Sequence, residues 1–170
     1  GAYVFITGRN EEKLSSLEKD LGDRVTAIAA DLSDDDKIAD LIKQIDENSE
    51  GLDILVNNAG LTRDNLAMRM KDEDWQTVLD VNLTAPFKLA QACLRGMMKA
   101  KGGRIINIAS VVGVMGNAGQ TNYAAAKAGN GGKDTLAMMV YDSGDFDVLY
   151  KNAEVKKRKG LFRKPALVGV

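Results

Sequence analysis

Apolar residues fall along this chain in short blocks whose period changes. Ala2-Tyr-Val-Phe-Ile6 is a continuous apolar run that ends at Thr7-Gly8, and Leu14, Leu17 and Leu21 then recur at helical spacing. That order predicts a strand followed by a helix. Val25-Thr-Ala-Ile-Ala-Ala30 reads as a second strand closed by Asp31-Leu32-Ser33. Ser33 and Asp36 have capping-box spacing ahead of a helix with Ile38, Leu41, Ile42 and Ile45 on one face. The pattern then repeats: residues 53–56 predict a third strand, 72–83 and 85–100 helices, 104–109 a fourth strand, and Tyr123 opens the next helix. Short strands alternating with helices predict an α/β fold, a doubly wound parallel sheet covered on both faces. Ligands in such sheets bind beyond the carboxyl ends of the strands, where the loops holding Gly8, Asp31, Asn57 and Ser110 fall.

Composition narrows the chemistry. With 170 residues, 45% hydrophobic and 28% charged, the chain is long enough for one domain with a real core, and a net charge of -1 gives no pull towards nucleic acid. It contains no histidine, which excludes histidine-based nucleophile triads and histidine metal sites. The single cysteine, Cys93, can form neither an intramolecular disulfide nor a zinc cluster, and its place in an apolar phase predicts a small core residue. No metal is expected. Neither a signal peptide nor an apolar run of membrane-spanning length is present, so a cytoplasmic protein is expected.

The candidate chemistry centres on Tyr123-Ala-Ala-Ala-Lys127. A helical step of four puts a phenol and an ammonium on one face, and a neighbouring cation favours the phenolate, lowering the tyrosine pKa from its ordinary value near 10. Such a tyrosine can give a proton to a carbonyl oxygen as hydride reaches the carbon. Ser110, at the end of the fourth apolar run, can hydrogen-bond the same oxygen. Asn57-Asn58-Ala59-Gly60 follows the third strand, and Asn82 lies in Asp80-Val-Asn-Leu83.

In this order those motifs resemble the short-chain dehydrogenase/reductase family over residues 1 to about 129. The segments Leu61 to Trp75, Arg104 to Asn107 and Ser110 to Tyr123 are similar to one branch of it, the bacterial 3-oxoacyl-(acyl-carrier-protein) reductases. The resemblance implies a Rossmann-like fold and NADP(H)-dependent ketone reduction in fatty-acid biosynthesis. It implies Tyr123 as proton donor, Ser110 as second hydrogen-bond donor to the carbonyl, and Lys127 as holder of the nicotinamide ribose. Asn82 would support a water that relays protons to Lys127. Gly8, Arg9, Asp31, Leu32, Asn58, Ala59, Gly60, Tyr123 and Lys127 would line the cofactor. Arg9, at the end of a strand where an acidic residue would select NAD, points to the 2′-phosphate of NADP. Acyl carrier protein would be the substrate carrier, with Lys99, Lys101 and Arg104 as a basic patch near the site entrance, and the intact family form implies a homo-oligomer.

Both ends depart from the family pattern. Thr7-Gly8-Arg9-Asn10 lacks the further glycines of a phosphate-binding turn and fits the second strand of the fold, so the first strand and its glycine-rich turn are expected to be absent. After Gly129, Asn130-Gly-Gly132 should weaken the catalytic helix, with 135–140 as its remnant and no sixth strand in 141–150. The sequence thus divides into residues 1–129, a partial dinucleotide-binding and catalytic domain, and 130–170, a divergent tail whose residues 151–170, with a basic run over 151–164, read as solvated. Two other readings stay open: a non-catalytic remnant or interaction module of the same fold, and a short-chain reductase for a sugar, steroid or other small ketone.

Overall fold

The computed structural model describes residues 2–131, 136–142, 145–148 and 166–169. The first three strands and two helices follow the apolar pattern closely: β1 (Val4–Gly8), α1 (Glu11–Leu21), β2 (Val25–Ala29), α2 (Asp35–Asn48) and β3 (Ile54–Asn57). Asn10 starts α1, its side chain accepting the Lys13 N–H at 2.9 Å. At α2 the expected capping box is not formed. Asp34 is the cap, accepting from the Asp36 and Lys37 N–H groups, while the Ser33 hydroxyl turns back to Asp31.

One long helical stretch then crosses the sheet as α3 (Asp72–Leu79), a wide π turn (Asp80–Thr84) and α4 (Ala85–Lys99). The π turn takes Asn82 out of regular helical register, a distortion often found at functional sites. β4 (Gly102–Ile108), the short α5 (Val112–Met115) and α6 (Thr121–Gly131) complete the part that carries the motifs.

The sheet order is β2-β1-β7-β3-β4-β5-β6, with β5 (Leu136–Asp142), β6 (Asp145–Val148) and β7 (Ala166–Gly169). Pairing is parallel from β2 to β4 and antiparallel at β5 and β6. Two expectations are corrected here. Residues 136–140 are not a helix remnant, because they pair with Arg104 to Ile108 of β4, Leu136 opposite Ile108. Residues 141–142 end β5 and 145–148 form β6, both antiparallel, so this part of the sheet diverges from the parallel family pattern. Residues 166–169 are not a solvated tail but a strand between β1 and β3, Val168 beside Ile6 and Val56. The basic run 151–164 lies outside the described residues.

Direction of travel sets the layers. The chain steps outward from β1 to β2 and then back across to β3, so right-handed crossovers put α1 on one face and α2 and α4 on the other. On the latter face Phe5, Leu55 and Ile105 from the strands meet Leu41 and Ile45 of α2 and Leu89 and Met97 of α4. Each is nearly or fully buried, and each such side chain contributes roughly 1.5–3 kcal/mol relative to exposure. Lys88 of α4 pairs with Asp35 of α2 at the rim. Cys93 packs against this core, and burial together with Asp46 pushes its thiol up to about 12, which keeps it an inert thiol.

Candidate active site

Gly8, Asp31, Asn57 and Ser110 all stand at the carboxyl edge of the parallel strands, where the switch of direction between β1 and β3 opens a crevice. A cleft there is lined by Gly8, Arg9, Ala30, Asp31, Leu32, Ala59, Gly60, Leu61 and Val81. It brings together six of the residues expected to line a nucleotide. Asp31 is held below the usual carboxylate range first by the Ser33 backbone N–H, at 2.9 Å, then by the Ser33 hydroxyl and the positive charge of Arg9. An ionised acceptor thus sits beside an exposed guanidinium at the mouth.

Asn57 does more than turn the chain. Its amide donates to the Asn107 side-chain oxygen at 2.8 Å, tying β3 to β4, and it is buried. Asn58 stands outside the lining of the cleft, its N–H turned back to the Val56 carbonyl at 3.2 Å.

The second part of the site is joined to the first through Gly60. A Cβ built there would lie 2.7 Å from Asn82 Oδ1 and 3.7 Å from Lys127 Nζ, so the bare backbone of Gly60 fills the gap between them. Asn82 is fully buried, and its amide nitrogen donates to the carbonyls of Leu61 (2.8 Å) and Val78 (2.9 Å). Its Oδ1 is buried against Gly60 and has no hydrogen-bond partner among the described residues.

Lys127, 4% exposed, donates from Nζ to the Ile108 carbonyl at 2.8 Å and lies 5.7 Å from the centre of the Tyr123 ring. Burial lowers its pKa below that of an ordinary lysine, because an ammonium out of water is disfavoured. Ser110 leaves β4 next to this pair. Its oxygen accepts the Val112 N–H at 3.2 Å, which leaves the hydroxyl proton to be given elsewhere.

Two residues that hold this set escaped the sequence reading. Gly113 lets α5 lie against α6, since a Cβ there would come within 2.7 Å of the backbone at Lys127 and Ala128. Asn122, fully buried, bonds both the loop after β3 and the start of α3. A glycine three residues after Ser110 was the only visible signal for the first, and an asparagine next to Tyr123 the only one for the second. The expected basic patch is not at this edge: within one chain, Lys99 and Lys101 precede the amino-terminal end of β4, opposite Ser110.

A family model described as short chain dehydrogenase matches residues 1–144. The chain belongs to the short-chain dehydrogenase family. It is 54% identical over 129 residues to nodulation protein G of Rhizobium sp. (strain N33), covering 76% of this chain and 53% of that protein. It is 50% identical over 129 residues to the 3-oxoacyl-[acyl-carrier-protein] reductase FabG of Vibrio harveyi, with the same two coverages, 76% and 53%. The chain therefore spans about half the length of the curated relatives it matches. Among solved structures, a metagenomic short-chain oxidoreductase in complex with NADP matches with a TM-score of 0.72 and 37% identity, over 76% of this chain and 60% of that one.

Proposed function

We propose that residues 1–129 carry the catalytic part of an NADPH-dependent reductase that converts a 3-oxoacyl group on acyl carrier protein to the 3-hydroxyacyl group, in the cytoplasm. The observation that carries the reading is Gly60, where an added Cβ would meet Asn82 at 2.7 Å and Lys127 at 3.7 Å, and which also lines the cleft with Gly8, Arg9 and Asp31. A nucleotide bed and a proton-transfer set thereby share one wall. Relatives named 3-oxoacyl-[acyl-carrier-protein] reductase support the substrate, and the neighbour in complex with NADP supports the cofactor.

The residues present fit that cofactor at its two ends. Gly8, Arg9, Asp31 and Leu32 would hold the adenosine end, and Asn58, Ala59, Gly60, Tyr123 and Lys127 the ribose and nicotinamide side. The family's glycine-rich phosphate turn has no counterpart among the described residues, where β7 fills the middle of the sheet. When bound, the nicotinamide supplies a hydride to the substrate's carbonyl carbon. The Tyr123 hydroxyl gives its proton to the carbonyl oxygen, while the Ser110 hydroxyl donates a second hydrogen bond that stabilises charge developing there. Lys127 then returns a proton towards Tyr123, its depressed pKa making release easier, and Asn82 would support a water that resupplies Lys127.

Exposed Phe87 and Met98, eleven residues apart on one face of α4, support the homo-oligomer of the family. The test is a fluorescence titration of the full chain with NADPH and NADH, followed by turnover of a carrier-bound 3-ketone and of a small free ketone. Saturable NADPH binding with preference for the carrier-bound ketone is expected. No saturable binding would leave a fold that keeps the motifs without holding a dinucleotide, and equal turnover of both ketones would assign it to another short-chain reduction.

A further inference from the structure

The irregular segment that leaves the nucleotide cleft is held at every second residue. Asn82 Nδ2 donates to the Leu61 carbonyl at 2.8 Å, Asn122 Nδ2 to the Arg63 carbonyl at 2.9 Å, and the Asn65 N–H to the Gly119 carbonyl at 2.8 Å. Both asparagines are fully buried, so neither amide has water as an alternative partner. Asn82 comes from the π turn and Asn122 from the first turn of α6, one on each side of the site. Gln120 Nε2 extends the same seam to Asp64 Oδ2 at 2.9 Å.

Asn122 also reaches in two further directions. Its amide nitrogen approaches the Asp74 carbonyl in the first turn of α3 at 3.4 Å, and its Oδ1 accepts the N–H of Tyr123 at 2.8 Å. That N–H is one of the unpaired donors at a helix start. A single buried amide thus ties the end of α6 that presents Tyr123 to both the loop after Gly60 and α3.

We propose that Asn122 is a positioning residue for Tyr123. It fixes the Tyr123 end of α6 against residues 61–65, and so sets how far the phenol stands from the floor formed by Gly60, Asn82 and Lys127. The inference rests on Tyr123 being the proton donor. The rotamer of Tyr123 is left free to meet substrate, because Asn122 grips the backbone and not the ring.

Two variants of the full chain separate the bonds. Asn122→Asp keeps an acceptor for the Tyr123 N–H but loses both donated bonds, whereas Asn122→Ala loses all three. Amide hydrogen exchange should speed up about tenfold or more over residues 61–65 in both variants, with β2 and β3 unchanged, since the opening is local. The Tyr123 amide should lose protection only in Asn122→Ala. Turnover of the ketone should fall about tenfold or more in both, with NADPH affinity within about twofold, the pattern of a misplaced reacting group. Unchanged exchange over 61–65, or a rise spread evenly over the sheet, would overturn the proposal, as would full turnover in a chain whose 61–65 segment has loosened. Should Asn122→Ala fail to fold, Asn122→Asp decides alone. If Tyr123→Phe kept its turnover, the reading of the proton donor would fall, while the exchange data would still decide whether Asn122 couples α6 to the loop.

Discussion

Gly60→Ala is the sharpest test of how the two halves of the site are joined. The new methyl would sit 2.7 Å from Asn82 Oδ1, well inside contact distance. Asn82 cannot step aside cheaply: it is fully buried, and rotation of its amide would strand the carbonyls of Leu61 and Val78, now bonded at 2.8 and 2.9 Å. Overpacking of a filled site costs about 1–3 kcal/mol, and a buried carbonyl left unpaired costs a similar amount. The smaller of these losses will be taken, so the expected destabilisation is about 1–3 kcal/mol, or roughly 2–12 °C in Tm for a chain of this size. Turnover should fall further than stability, by about tenfold or more, because a displacement of around 1 Å in Asn82 or Lys127 misaligns the proton path. Gly96→Ala is the matched control. It lies within α4 with nothing inside 4 Å of the added Cβ, and should stabilise by about 0.5–1 kcal/mol. Thermal and urea unfolding of the two variants, read beside their turnover, decides the matter. Parent-like stability and turnover in Gly60→Ala would refute a rigid contact between Gly60 and Asn82.

Three other perturbations address single groups. Ser110→Ala should lower turnover roughly 10²-fold with little change in NADPH affinity, the scale for one lost donor to a developing oxyanion, and steady-state kinetics with a separate binding titration would check it. Arg9→Ala should weaken NADPH about tenfold or more while leaving NADH unchanged, as expected for one charge-assisted contact to a phosphate, and equal loss for both cofactors would remove Arg9 from that role. Lys127→Met tests the buried ammonium. Because the folded pKa is depressed, the native chain binds fewer protons than the unfolded chain between that value and the ordinary value near 10.4, so its stability rises with pH across the window. The parent should gain on Lys127→Met as pH climbs towards about 10, and a difference independent of pH in urea unfolding would contradict the burial argument.

Local pattern made the first four strands legible, since each is a short apolar run closed by a turn residue. The motif residues were legible through their order, and Tyr123 and Lys127 through a helical step that the structure keeps. What the sequence hid depends on pairing across long separations. Leu136-Ala-Met-Met-Val140 has no period of its own and becomes a strand only because β4 offers an edge, Met139 opposite Ile105. Ala166 to Gly169 is too short to stand out, yet it finds parallel partners on both sides. Asn122 looked like an ordinary residue at a helix start, and its three partners lie in Arg63, Asp74 and the next residue. The basic patch was misjudged because sequence nearness to Ser110 hid the length of β4, whose two ends face opposite edges of the sheet.

The central claim is that Tyr123 delivers the proton in a hydride-transfer reduction, and Tyr123→Phe measures it most directly. The substitution removes one hydroxyl and keeps the ring beside Lys127 and the backbone bond to Asn122, so the fold should match the parent and saturating NADPH should still bind. Oxidation of NADPH in the presence of a carrier-bound 3-ketone should drop to about 1% of the parent rate or less, the loss expected for general acid catalysis at a carbonyl. Retention of parent-like turnover at saturating NADPH would contradict the account.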